Sequence, residues 1–288
     1  MKKEFHQAFV YVATGTAYLE EARRSAESLR RHHPGVAICL ISDHPPAEKG
    51  PFTEIRRPAG AVRHTPMDKV LAYEAPYEQI VFLDTDTHVC GDLRPIFELL
   101  ERFDLAAVQD VNRGWNYELP GLPMTFSEFN TGVIGFRKRP LVEGFFRDWV
   151  QAYDGLRKEL TMISDQPAFR QALFRSDLRV APLPNEFHFL GDFPNSTLWK
   201  VRLIHGRMGG QRVEKLVNEQ LGLRAYVPEV GVWSKLQGKR SLLGNITRFL
   251  WGSLKLFVAG PRNVLSRHPF HWWVEEQKAE VQRNKGQK

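Results

Sequence analysis

Asp84-Thr85-Asp86 is the segment of this chain whose residue types and spacing are best suited to chemistry. Two carboxylates separated by one residue on extended backbone point to the same side and can converge on a single cation. Hard divalent ions favour such oxygen ligands and often keep open positions for phosphate oxygens. The four residues before the pair, Ile80-Val81-Phe82-Leu83, are all apolar, which places it at the end of a buried strand. A tripeptide of this kind also occurs as a solvated acidic turn, but the strand context favours a metal site.

That strand end has to be positioned by the elements around it. Ala8-Phe9-Val10-Tyr11-Val12 reads as a buried first strand closed by Thr14-Gly15-Thr16. Tyr18, Leu19, Ala22, Ala26 and Leu29 then recur at helical spacing among Glu and Arg, and Pro34-Gly35 ends that helix. Strands follow at 36–41 and 53–56, a helix at 66–75, and the strand 79–83 that leads into Asp84. Further strands are predicted at 105–108 and 132–136, and helices at 141–153 and 164–174, while 111–128 reads as a long functional loop. Strands alternating with helices predict an α/β fold whose mostly parallel sheet is covered on both faces. In such sheets ligands bind beyond the carboxyl ends of the strands, where Thr14-Gly15-Thr16 and Asp84-Thr85-Asp86 both fall.

The 288 residues suit one large domain and a smaller appendage, and 42% hydrophobic with 25% charged residues is an ordinary globular composition. Cys39 and Cys90 belong to no CxxC or zinc pattern, which points to a reducing compartment. Residues 1–20 lack the apolar core of a signal peptide and no apolar run is long enough to span a bilayer, so the expectation is a cytoplasmic protein. The net charge of +7 is uneven: residues 235–288 carry 11 Lys/Arg against 3 Asp/Glu, a net of +8, which leaves −1 for residues 1–234. The main domain is therefore not a nucleic-acid binder by charge.

Several motifs in order, spanning about residues 8–212, resemble the glycogenin-like and lipopolysaccharide-galactosyltransferase-like family of retaining glycosyltransferases. The resemblance implies the GT-A fold, a Rossmann-like architecture that binds nucleotide-diphosphate sugars. On it, Thr14-Gly15-Thr16-Ala17-Tyr18 is similar to the opening nucleotide loop, with a tyrosine near the base. Lys69 matches a basic residue associated with the donor diphosphate, and Asp84 and Asp86 match the metal-binding pair around Thr85. Phe129-Asn130-Thr131-Gly132-Val133 is similar to the segment whose asparagine contacts the donor sugar, and Asp165-Gln166 matches a second sugar-facing motif. Ile204-His205-Gly206 resembles the late strand end that completes the metal site. The family further implies a uridine diphosphate donor carrying a hexose, and a glycan, lipid-linked or protein acceptor.

Elementary chemistry agrees with each of these roles. The diphosphate leaving group gains negative charge as its bond to the sugar breaks, and a cation held by Asp84, Asp86 and His205 would neutralise it. Imidazole among the ligands shifts preference from Mg2+ towards Mn2+. Lys69 with Arg207 or Arg212 supplies cationic contacts to phosphate. Asn130, Asp165 and Gln166 carry the groups that hold sugar hydroxyls. Structural alternatives exist: His205 and Tyr18 as core residues, Lys69 as a solvated helix residue, Asn130 as a turn former and Asp165 as a helix-start residue. Asp110, at a strand end, is open to a sugar-facing or a neutral role.

After His205 the chain departs from the family, since His205-Gly206-Arg207-Met208-Gly209-Gly210-Gln211-Arg212 replaces the usual Lys-Pro-Trp phosphate segment. The resemblance implies retention of anomeric configuration, by front-face attack without an enzymatic nucleophile; Asp165 is the carboxylate available for the covalent alternative. The expected organisation is a catalytic domain at 1–212 and a basic, aromatic, partly helical extension at 213–288. In that extension Ile246, Phe249, Leu250, Leu254, Phe257 and Val258 fit one apolar helical face, with Trp251, Trp272 and Trp273 as aromatic anchors. Such a segment suits an anionic membrane surface, on the inner face of a membrane, or packing on the domain itself. Two competing readings remain: Val81-Phe82-Leu83-Asp84-Thr85-Asp86-Thr87 also resembles the first motif of haloacid-dehalogenase-type phosphatases, with Asp84 as nucleophile, and a nucleotide-sugar binder without turnover has the same residues.

Overall fold

Strands buried on both faces need no polar side, and the apolar runs at 8–12, 37–41 and 80–83 form the centre of the sheet. The computed structural model describes residues 6–110, 117–160, 164–228 and 230–234, with 247 and 250. It begins with β1 (Gln7–Val12), α1 (Leu19–His32), β2 (Ala37–Ile41) and β3 (Glu54–Arg56). Next come β4 (Gln79–Leu83), β5 (Thr87–Val89), α2 (Pro95–Leu100), β6 (Leu105–Gln109), β7 (Phe129–Arg137), the long α3 (Pro140–Leu160) and α4 (Gln166–Phe174). They are followed by β8 (Val180–Leu183), β9 (Phe189–Leu190), β10 (Asn195–Thr197), β11 (Leu203–His205), α5 (Gly210–Asn218), β12 (Arg224–Val227) and β13 (Gly231–Ser234).

The main sheet has the order β3-β2-β1-β4-β7-β6-β8, and β7 alone runs against the other strands. One face is covered by α3, α4 and residues 66–74, the other by α1 and α2. Behind α4 the packing is aromatic: Trp149, fully buried, stands edge-on to Phe169 at 4.8 Å and 81°. Its indole Nε1–H donates to the carbonyl of Asp165 at 3.1 Å, which fixes the start of α4 against α3. Arg170, also fully buried, donates to the carbonyls of Tyr117, Pro123 and Phe126 and holds the loop between β6 and β7 onto the core.

Two smaller sheets finish the molecule. β5 leaves Asp86 directly and pairs antiparallel with β11, placing His205 opposite Thr87, while β9 pairs with β11 in parallel. The ribbon β10-β12-β13 lies beside them, with Val213 and Val217 of α5 and Tyr226 of β12 buried among Cys90, Phe189 and Ile204. Helix α5 thus crosses residue 212 as a continuous element that packs on the main body.

Three local expectations change. Residues 66–74 form a run of 3-10 turns opened by Thr65 and Pro66 rather than the expected α-helix. The expected strand at 132–136 runs from Phe129 to Arg137, because its core-facing residues continue at both ends. β5, β8, β9, β10 and β11, of two to four residues each, carry no periodic signal of their own. The apolar and aromatic residues expected to form the helix at 246–258, apart from Leu250, and Trp272 and Trp273 lie outside the described residues.

Candidate cation and sugar site

The ends of β4 and β11 meet at the carboxyl edge of the sheet. His205 Nε2 lies 3.0 Å from Asp86 Oδ1 and 3.7 Å from Asp84 Oδ2. One ligand atom from each of the three residues falls within 4.8 Å of the others, so all three can reach one ion. Glycine is required at position 132: a Cβ there would sit 2.5 Å from His205 Cε1 and 2.8 Å from His188 Nε2. Gly206, at φ 128°, is required as well, since a Cβ would lie 2.6 Å from the Asp192 carboxyl. That carboxylate accepts from the backbone N–H groups of Arg207 and Met208, both at 2.9 Å, and fixes the loop that follows His205.

The electrostatics are those of an anionic cup. Burial raises Asp84, against the pull of Lys69 and His205. Burial also works to raise Asp86, but His205 and Arg207 outweigh it and hold this carboxyl well below its ordinary range. His205 is opposed by its own desolvation yet is pushed up to about 9 by Asp86 and Asp84. The positive charge of the His205 ring, facing Asp86 and Asp84 through Nε2, does in part what a divalent cation bound by the three residues would do. Two carboxylate oxygens and one imidazole nitrogen form a donor set that suits Mn2+, so the residues present fit the ion that the fold implies.

A polar pocket adjoins the cup. Asp165 does not cap α4 with its side chain; Lys69 Nζ lies 3.2 Å from its Oδ2 and 3.6 Å from Asp84 Oδ2. Lys69 is buried and also donates to Thr131 Oγ1 at 3.1 Å, so it is no solvated helix residue. Its pKa is raised, because Asp165 and Asp84 outweigh desolvation. Asn130 Oδ1 accepts from the Gly132 N–H at 2.9 Å, the expected turn chemistry, while its Nδ2 faces Asp110 Oδ2 at 3.3 Å. Gln166 Nε2 donates to the same Asp110 oxygen at 2.9 Å and to Glu128 Oε1 at 2.7 Å. The Asn130–Gly132 turn coincides with a bulge in the β6–β7 pairing, which turns these polar groups towards the edge.

The third part is the loop after β1. Thr14 Oγ1 donates to Asp68 Oδ2 at 2.7 Å, and the Gly15 N–H donates to Asp43 Oδ1 at 2.9 Å with φ 81°. Tyr18 is 46% exposed and therefore not core; it offers an aromatic face beside the site. Thr85 Oγ1 donates to Glu21 Oε2, and Arg207 bridges Glu21 Oε1 at 3.0 Å and Asp86 Oδ2 at 3.3 Å. These groups border an open cleft of about 810 Å³ between α1 and the loop 206–212. A second cavity, about 480 Å³ between α3 and α4, contains none of the candidate residues.

Every residue of the expected ligand set is thus brought to one edge. Sequence reasoning missed His188, Glu128, Glu21 and Asp192, which reach the site through chain segments without motif spacing. The register of β9 against β11 is the signal that would have found His188, and it is a tertiary one.

No protein-family model matches the chain, and no curated protein matches its sequence. Among solved structures, the galactosyltransferase LgtC in complex with donor and acceptor sugar analogs aligns with a TM-score of 0.52 at 17% identity, covering 69% of this chain and 86% of LgtC. An active-site mutant of LgtC aligns with a TM-score of 0.51 at 16% identity and the same coverage. The glycosyltransferase GlyE of Streptococcus pneumoniae TIGR4 gives 0.49 at 20% identity, covering 65% of this chain and 48% of GlyE, so the chain spans about half the length of that protein. The fold is GT-A, as the motifs implied. Asp84-Thr85-Asp86 follows β4, the fourth strand in chain order, and not the first strand of the sheet.

Proposed function

We propose that this protein is a metal-dependent glycosyltransferase that moves a hexose from a nucleotide-diphosphate donor, with UDP as the nucleotide, to a glycan, lipid-linked or protein acceptor. The observation that carries this reading is the convergence of Asp84, Asp86 and His205 beside a pocket of hydroxyl-binding side chains on a GT-A fold. A bound divalent cation would act as a Lewis acid towards the leaving diphosphate. Asp84, Asp86 and His205 would hold it, and Arg207 would add positive charge at the open side. Asn130 and Gln166 orient the sugar, anchored through Asp110 and Glu128 so that little reorganisation is needed on binding. Lys69 Nζ, 3.2 Å from Asp165 Oδ2, holds that side chain in place next to the sugar. Retention by front-face attack asks no more of Asp165 than this, and the covalent route would use it as nucleophile.

The decisive assay is donor turnover across a panel of nucleotide sugars with Mn2+, comparing wild type with Asp86→Ala. Metal-dependent release of one nucleoside diphosphate, lowered at least about 10³-fold in the variant, is expected. Donor binding without turnover in the presence of a panel of acceptors would leave the binding-protein reading, and phosphatase activity on small phosphoesters would reject both.

Within the extension at 213–288, α5, β12 and β13 pack on the main body, and the basic residues of its sequence follow from Lys235. Among the described residues no helix is long and apolar enough to cross a membrane. Leu198, Trp199, Leu221 and Leu223 are exposed together at the end of the β10-β12-β13 ribbon, where Arg224 pairs with Ser234. This exposed apolar patch, together with the net charge of +8 carried by residues 235–288 in the sequence, supports peripheral contact with an anionic membrane face as part of this reading. Co-sedimentation with anionic liposomes, lost on deleting residues 235–288, is the expected result; undiminished binding of the truncated chain would reject a role for the extension.

A further inference from the structure

We infer that His188 is a positioning residue for the cation site: its Nε2 accepts a hydrogen bond from the Nδ1–H of His205 and aims the other nitrogen of that ring at Asp84 and Asp86. The inference rests on the reading of Asp84, Asp86 and His205 as cation ligands.

His188 Nε2 lies 2.6 Å from His205 Nδ1, with the ring centroids 4.7 Å apart and the planes at 67°. His188 is only 2% exposed, and it is not one of the three residues whose ligand atoms converge. It follows the turn Asn185–Phe187 and immediately precedes β9, so the pairing of Phe189 with Ile204 and of Leu190 with His205 brings the two rings together. Gly132 leaves the space in which they meet.

The proton count sets the direction of the bond. To offer a lone pair from Nε2 to a cation, His205 must carry its proton on Nδ1, and that N–H points at His188 Nε2. His188 then accepts there and carries its own proton on Nδ1. The reverse polarity would leave a proton on His205 Nε2, aimed at Asp86 where the cation belongs. Without a cation, a doubly protonated His205 still donates from Nδ1 to the same acceptor, so His188 need not change state when an ion arrives. Metal-bound histidines are generally oriented by an acceptor of this kind, and losing it typically weakens metal binding about 10- to 100-fold.

The test is Mn2+ titration of the full-length, metal-free protein, followed by electron paramagnetic resonance, for wild type, Asp86→Ala, His188→Phe and His188→Gln. Phe keeps the ring but removes the acceptor; Gln restores an acceptor oxygen near the same place. The expected result is about 10- to 100-fold weaker binding in His188→Phe and recovery of most of the affinity in His188→Gln. Wild-type affinity in both His188 variants would overturn the inference, and so would equal losses in both with the fold intact. If His188→Phe does not fold, the imidazole 15N spectrum of the wild type loaded with Zn2+ decides. A proton on Nδ1 of both rings supports the inference; a proton on Nε2 of His188 overturns it. If wild type binds no Mn2+, or Asp86→Ala binds it as well as wild type, the underlying cation-site reading has failed, and that outcome is distinct from all the others.

Discussion

The two halves of the site are built on opposite plans. At the cation end Asp84, Asp86 and His205 face one another across 3.0–3.7 Å contacts, with like charges close together and a cleft open beside them. At the sugar end Asn130, Gln166, Asp110 and Glu128 are already bound to each other, and Trp149 and Arg170 lock the elements that carry them. On the proposed function the first half would be completed by a cation, whereas the second is already organised by its own hydrogen bonds. Repulsion between carboxylates costs stability that a cation restores, whereas neutral hydroxyls offer little energy to reorganise a pocket, so that pocket has to be rigid beforehand.

This contrast can be broken from either side. Gln166→Ala removes a tie of the sugar end only; kcat should fall about 10²- to 10³-fold while Mn2+ affinity stays within about threefold of wild type. Parallel kinetics and Mn2+ titrations check this, and a matching loss of metal affinity would show that the two ends are one network. Gly132→Ala acts on the cation end, because the added Cβ collides with the rings of His205 and His188. Mn2+ affinity should drop about 10- to 100-fold, and the loss should exceed any change in sugar-donor affinity measured without metal.

A smaller, graded effect comes from pH. In the metal-free protein His205 keeps its proton up to about 9, so an ion at its Nε2 must displace that proton. Mn2+ affinity should therefore rise by up to about tenfold per pH unit from about pH 6 to about pH 8, and calorimetry in buffers of different ionisation heat should detect about one proton released. The same raised pKa stabilises the metal-free fold fully below the unfolded value of about 6.5, and this contribution is lost as pH rises through about 9. Denaturant melts across that window, with and without Mn2+, should show the decline in the metal-free protein alone.

The same division separates what the sequence made legible from what it did not. Asp84, Asp86, Asn130, Asp165 and Gln166 could be read because each sits within a short motif at the end of an element with a clear apolar pattern. The alternation of long elements likewise predicted an α/β sheet and its ligand-binding edge, while the GT-A fold was implied by the family resemblance of the motifs and is shown by the likeness to LgtC. His188 and Glu128 could not be read: their partners lie 17 and 38 residues away, and the contacts are decided by the pairing of the short strands β9 and β11 for His188 and by the packing of α4 beside the start of β7 for Glu128. For Lys69 the motif gives an expected contact with the donor diphosphate, but not its two carboxylate partners, Asp84 at the end of β4 and Asp165 at the start of α4. Residues 66–74 read as an α-helix in the sequence because apolar spacing does not distinguish 3-10 turns from a helix over nine residues.

The central claim is that Asp84, Asp86 and His205 form a single cation site that serves a nucleoside-diphosphate leaving group. The most direct test is to titrate Mn2+ into wild type and Asp86→Ala, with and without UDP, while following the free ion by electron paramagnetic resonance. One site per chain, tightened by UDP and lost in Asp86→Ala, is the result this account predicts. No site in the wild type, or a site that survives the substitution or ignores the nucleotide, would contradict it.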